Sequence, residues 1–156
     1  MKQFLVAFIL LFATNMAFSQ ATVKAKNESS KNTTITWEVL KDVQFQDKWS
    51  EEFQAYYQVP KFGGAIKALD GKEVIIKGYI IPVDVIEDYY VLSANPYSSC
   101  FFCGQAGPES VMEVQMKERN HDLKMDMVIT FKGTLRLNAD DIYQLNYILE
   151  NAEVVE

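Results

Sequence analysis

The chain is poor in the residues that build metal and nucleophilic sites, because its 156 residues hold only two cysteines and one histidine. A single-chain zinc site would therefore lack a second C-x-x-C half and a histidine pair. A Ser-His-Asp arrangement could draw only on His121. A G-x-S-x-G elbow and a glycine-rich phosphate loop are also absent from the sequence. These absences favour a non-enzymatic protein over an enzyme.

Clustered positive charge is missing as well. The chain carries 15 basic and 21 acidic residues, which gives a net charge of −6. Affinity for nucleic acids comes from clustered lysines and arginines that neutralise phosphates. We therefore do not expect nucleic acid to be a partner.

Long apolar runs are confined to the first twenty residues, MKQFLVAFILLFATNMAFSQ. Lys2 precedes an apolar run over residues 4–12, and Ala17 and Ser19 occupy the small-residue positions before a cut. The run is shorter than the ~20 residues that cross a bilayer. We predict a signal peptide over residues 1–20, a periplasmic or secreted mature protein, and no transmembrane segment after signal removal.

Two segments precede the strand-rich region. Residues 21–34 are polar and lack hydrophobic periodicity, so we predict a flexible leader. Residues 35–69 are rich in aromatic residues, and we expect an apolar flap packed against the main sheet, with an aromatic ligand platform as the alternative. Ser50, followed by two glutamates, is predicted to cap a short helix. Residues 35–156 are expected to form a single domain.

Five β-rich segments follow the Asp70-Gly71 turn: 72–81 (ended by Pro82), 89–92, 110–117, 125–137 and 147–155. Apolar and polar side chains alternate with the period of a strand in 110–117 and 125–137, and 72–81 is a run rich in β-branched residues. Gly78 and Gly133 interrupt two of the strands, and glycine inside a strand marks a bulge or a tight bend. The pattern predicts a mainly β fold, a small five-stranded OB-like barrel with an N-terminal aromatic-rich flanking segment. A flat sandwich is the alternative.

These motifs resemble an uncharacterised family of exported bacterial proteins, a domain of unknown function with an OB-like barrel. The resemblance covers roughly residues 35–156. It rests on the opening TWEVL, on LDGKEV running into GYIIP, on the cysteine loop before GPE, and on FKGTL with the last strand. It implies the fold, and it assigns no activity and no catalytic residue.

The stretch SSCFFCGQAGPES, residues 98–110, holds Cys100 and Cys103 two residues apart. An oxidising compartment would close the two thiols into a disulfide that staples the loop. The alternatives are a thiol-redox pair or a zinc or copper site, completed by Glu109 and His121 or by a second cysteine pair in a dimer. Redox chemistry is the weakest alternative, because no lysine or arginine occurs in residues 83–116 to stabilise a thiolate.

The loop from Cys100 to Ser110 is also the candidate binding site, through Phe101, Phe102 and Gln105. Four methionines are soft enough to assist copper(I), although their periodicity predicts packing in the core: Met112, Met116, Met125 and Met127. The leading hypothesis is an exported, non-enzymatic binding module with an unidentified ligand and a possible protein partner or dimer. The alternative is a metal-handling (zinc or copper) or thiol-redox protein that uses Cys100 and Cys103.

Overall fold

The computed structural model describes residues 33–120 and 122–155. The predicted signal peptide, most of the predicted leader and His121 lie outside the described residues. The helices are α1 (Trp37–Leu40) and α2 (Gly64–Lys67). The strands are β1 (Thr33–Thr34), β2 (Val43–Ser50), β3 (Ala55–Phe62), β4 (Glu73–Asp84), β5 (Tyr89–Ser93), β6 (Val111–Met116), β7 (Val128–Leu137) and β8 (Tyr147–Val154).

Strands β4 to β8 form a closed barrel. Their order is β4-β5-β6-β8-β7, and β7 returns to pair with β4. The β6–β8 pair is parallel, and the other four pairs are antiparallel. All five predicted strands are present, so the predicted mainly β fold with a small five-stranded barrel is confirmed, and the sandwich alternative is wrong. No helix in the described part of the chain is long and apolar enough to cross a membrane.

The barrel interior is filled by alternate residues of its strands. Ile76 and Ile80 of β4 face Phe131 and Leu135 of β7 in one cluster, and all four side chains are at most 1% exposed. The hydroxyl of Tyr147 donates a 2.6 Å hydrogen bond to the Leu40 carbonyl and so ties α1 to the barrel. Burial raises the pKa of Tyr147, which keeps this hydroxyl a donor.

The two strand glycines lie where neighbouring strands come closest. A Cβ atom at Gly78 would sit 2.6 Å from the Ser93 carbonyl oxygen. At Gly133 it would sit 2.8 Å from the Glu150 carbonyl oxygen, and the β7–β8 register is irregular around this residue. Both contacts involve backbone atoms, so only glycine fits without moving a strand.

Pro82 does not end its strand as predicted, because β4 continues to Asp84 with a register shift after Pro82. The amide nitrogen of Ile80 points towards β7 and donates to Met127. Since amides two residues apart point to the same side, the nitrogen of Pro82 faces that side beyond the last β7 contact. A proline at this position removes no ladder hydrogen bond.

The predicted helix cap at Ser50 is wrong. Ser50 is the last residue of β2, and its hydroxyl accepts a 3.3 Å hydrogen bond from the Phe53 amide inside a hairpin turn. Strands β2 and β3 form a separate two-stranded sheet. The predicted packing of this segment holds at its base, where Phe62 is buried, and is wrong at its tip, where Trp49 and Tyr56 are exposed.

Replacing Gly78 with alanine should lower the free energy of unfolding by about 1–3 kcal/mol, because the added methyl group overpacks two strands. Urea unfolding of the purified protein measures this change. Gly64→Ala is the matched control, since a Cβ at Gly64 meets nothing within 4 Å. Equal stability of the two variants would contradict the close approach at Gly78.

Candidate functional site

The cysteine loop, residues 94–110, joins β5 to β6 through three 3₁₀ turns. A hydrogen bond of 2.9 Å from the Ala94 amide to the Ser110 carbonyl closes its base. In the middle turn the Cys103 amide donates to the Cys100 carbonyl at 3.2 Å. Gly104 then takes a left-handed conformation with φ of 70°, which ends the turn. The local sequence therefore places both cysteines on one short turn.

Cys100 anchors this loop to the outside of the barrel. Its side chain is fully buried against Ile81, Val91 and Val111, which come from β4, β5 and β6. Phe101 packs against the same cluster. The loop thus covers the outer face of three barrel strands. Phe101, which was predicted to contact a ligand, packs against this face. Sequence periodicity could not reveal this second cluster, because it forms between a loop and a distant strand face.

Cys103 lies at the surface of the same turn. It is exposed, and its thiol donates a hydrogen bond of 3.0 Å to the Tyr97 carbonyl. Desolvation, and then the charge and hydrogen bond of the neighbouring Cys100 thiol, raise the pKa of Cys103. Both cysteines are free, so the predicted disulfide is absent from this structure. The apolar cluster thus encloses Cys100, while the Cys103 thiol interacts with both the Tyr97 carbonyl and the Cys100 thiol.

Of the two additional metal ligands considered, Glu109 is not brought to the cysteines. Glu109 lines a different cleft together with Trp37 and Lys41 of the α1 region. His121 lies outside the described residues. Across residues 33–120 and 122–155 no group of three histidine, cysteine, aspartate or glutamate side chains could hold a metal ion. The alternative of a Cys₂HisGlu site therefore lacks its glutamate beside the cysteines.

The four methionines divide into two pairs. Met112 is fully buried and Met116 packs against the barrel core, as predicted. Met125 and Met127 are 45% and 42% exposed, so the prediction of core packing is wrong for them. The strand begins only at Val128, and the two methionines flank Asp126, whose φ is 63°. The period of a strand does not apply in this turn.

An open apolar cleft of about 310 Å³ lies where the cysteine loop meets the end of β4, and we call it the barrel-end cleft. Its lining comes from three segments of the chain: Ile81, Pro82 and Val83, then Tyr97 and Phe102, then Met125. The Tyr97 amide donates a 2.7 Å hydrogen bond to the Asp126 carboxylate, which joins the loop to the 125–127 turn. Phe102 is 47% and Tyr97 is 44% exposed.

The sequence predictions captured only part of this cleft. Phe102 was predicted and lies in it, while Gln105 is exposed outside its lining. Tyr97, Val83 and Met125 were missed. A usable signal existed in the β4–β5 turn, where Val83, Val85 and Ile86 place apolar residues in a position that normally holds polar ones.

Comparison with known proteins adds little about function. No family model matches the chain, and no curated protein matches it. A crystal structure of a DUF3299 family protein from Pseudomonas aeruginosa PAO1 is similar, with 17% identity and a TM-score of 0.49, over 80% of this chain and 97% of that one. That protein is described as a member of the DUF3299 family. At this level of likeness no function carries over.

The two thiols should differ sharply in reactivity. With uncharged iodoacetamide, only Cys103 should be alkylated in the native protein, and Cys100 should react only in urea because it is fully buried. A raised pKa means that the Cys103 thiolate forms at higher pH than a free thiol does. The midpoint of its pH–rate profile should therefore lie above that of N-acetylcysteine, followed by mass spectrometry. Two equally fast thiols, or a midpoint below the reference, would contradict this arrangement.

Proposed function

We propose that this protein is an exported, non-enzymatic binding module whose ligand contacts the barrel-end cleft beside the cysteine loop. The observation that carries the proposal is the exposure of Tyr97 and Phe102, which lie together with Val83 and Met125 in one concave apolar surface. Contiguous exposed apolar side chains mark interaction sites, because leaving them in water is unfavourable. Export, to the periplasm or beyond the cell, rests on the features of residues 1–20 alone.

The chemistry of the cleft favours binding over catalysis. Its six lining residues are isoleucine, proline, valine, tyrosine, phenylalanine and methionine. The lining holds no histidine, carboxylate, lysine or cysteine, and these are the side chains that most often act as general acids and bases. The nearest nucleophile in sequence, Cys103, has a raised pKa and is mainly protonated at neutral pH. Such a lining suits shape-dependent capture of an apolar group.

The uncharged dye Nile red tests whether the cleft captures apolar groups. We expect its fluorescence to rise with the native protein, and Phe102→Ser to weaken binding about tenfold, since burial of a phenylalanine contributes about 1.5–3 kcal/mol. Tyr143→Ser is the matched control, because Tyr143 is 76% exposed and does not line the cleft. An equal loss of Nile red affinity in both variants, or no loss in either, would contradict the proposal that the cleft is the binding site.

The alternative function is metal handling or thiol redox, and one observation favours the metal-handling form. Cys100 and Cys103 are neighbouring free thiols on one turn, and no lysine or arginine occurs in residues 83–116. A region without positive charge suits a bound cation better than a reactive thiolate. Two thiols of this kind match the soft donors that copper(I) prefers, while zinc would require further ligands.

A metal titration under reducing conditions distinguishes the two functions. On the leading proposal, the purified protein retains no stoichiometric zinc or copper after dialysis. A Cys103→Ser variant, in which the serine hydroxyl can still donate to the Tyr97 carbonyl, binds Nile red as the native protein does. Metal retained at one ion per chain and lost in this variant would favour the alternative. A disulfide that forms and reduces reversibly near the potential of the compartment would favour the redox form.

A further inference from the structure

We infer that the occupant of the barrel-end cleft is a peptide segment of another protein, with one or two apolar side chains flanked by lysine or arginine. This inference rests on the proposed function and specifies its ligand. Three features of the described residues lead to it: the volume of the cleft, the charge of the residues around it, and the way in which strand β4 ends beside it.

The size of the cleft sets the apolar part of the ligand. A volume of about 310 Å³ lies at the lower end of the range of ligand pockets, roughly 300–1,000 Å³. It can take one or two apolar side chains and is too small for a folded surface. Phe102 and Tyr97 present amphipathic or aromatic edges, which are frequent at the centre of protein interfaces.

The charge around the cleft determines which charged residues the peptide ligand should carry. Asp84 and Glu87 are exposed on the β4–β5 turn next to Val83, and Asp126 is adjacent to Met125. Among the described residues, none of these three carboxylates takes part in an ion pair with a lysine or arginine. The opposing charges in this region are Lys124 and Arg119. Arg119 is already paired with Asp88 and donates to the Ile86 carbonyl. The excess of negative charge favours a ligand with positive flanks.

The same charge argues against a membrane surface as the occupant. Proteins that dock on lipid headgroups place lysine and arginine around their apolar contact, because biological membranes carry anionic lipids. Here the 34 residues from Val83 to Met116 hold five acidic residues and no basic one. An anionic surface would be repelled by Asp84 and Glu87, whereas a basic peptide would be attracted.

The end of β4 indicates how the peptide docks. The last hydrogen bonds on its β7 side join Ile80 to Asp126 and Met127. The next residue facing that side is Pro82, which has no N–H to offer. Addition of a peptide as a paired strand is therefore disfavoured. Insertion of apolar side chains between Phe102 and Met125 fits the cleft better.

The test uses three synthetic pentapeptides and the purified protein, followed by calorimetry and NMR titration. The probe is Lys-Leu-Lys-Phe-Lys, and its controls are Glu-Leu-Glu-Phe-Glu and Lys-Ser-Lys-Ser-Lys. We expect the probe to bind at least about tenfold more tightly than either control, because the apolar and charged contributions are both needed. Its binding should weaken as salt is raised from low to high concentration.

Variants locate the contact. Phe102→Ser should weaken binding of the probe about tenfold, and Tyr143→Ser should leave it unchanged. Asp84→Asn with Glu87→Gln should weaken it about threefold and reduce its salt dependence. Asparagine keeps the oxygen that accepts hydrogen bonds from the Ile86 and Glu87 amides, so the turn is preserved.

Several outcomes would overturn the inference. Equal binding of the acidic peptide would remove the charge argument, and equal binding of the serine peptide would reduce the contact to unspecific attraction. Pelleting with phosphatidylglycerol vesicles, lost in Phe102→Ser, would assign the cleft to a membrane. A dimer lost in Phe102→Ser would assign it to a second copy. If the protein binds Nile red and does not bind the probe, the peptide inference is overturned and the proposed binding function stands. If it binds neither, both the inference and the proposed function are overturned.

Discussion

The structure depends on the double pairing of strand β4. Its first half pairs with β7, from Glu73 to Tyr79, and its second half pairs with β5, from Tyr79 to Asp84. One strand of twelve residues thereby closes the barrel, and the change of partner requires the close approach at Gly78. The second half extends beyond the last bond to β7. The barrel-end cleft therefore lies at the place where β4 has lost one neighbour and still continues.

The cysteine loop uses its two cysteines for opposite purposes. Cys100 acts as a small apolar side chain inside the outer cluster, and the following turn directs Phe102 outward. Each sulfur of the C-x-x-C spacing thus has a structural contact of its own within the loop. Free cysteine is among the most buried residue types, so packing alone accounts for Cys100. The exposed Cys103 holds the turn through the Tyr97 carbonyl.

The strands were predictable because burial on one face imposes alternation within a single segment. Phe131 and Leu135 show this in β7, where their neighbours in sequence are partly exposed. The same rule failed at Met125, because residues 125–127 form a turn and the strand begins at Val128, three residues later than the pattern predicts. The cleft was not predictable as a unit. Its lining comes from three segments whose proximity is a property of barrel closure and of the Tyr97–Asp126 hydrogen bond, and neither leaves a local sequence pattern.

The hairpin of β2 and β3 also exposes aromatic side chains, and its geometry explains why it is the weaker candidate for ligand binding. Trp49 and Tyr56 pack on each other edge to face, with centroids 5.1 Å apart and planes at 67°. Phe53 and Tyr143 do the same at 6.3 Å and 74°. Each ring at the tip thus already contacts another ring, and two pairs at such angles offer no flat platform. Phe102 also packs edge to face on Phe101, with centroids 5.7 Å apart and planes at 65°. The cleft that Phe102 lines is nevertheless concave and contains an open volume that protein atoms do not fill. Aromatic exposure is common to both surfaces, and concavity separates them.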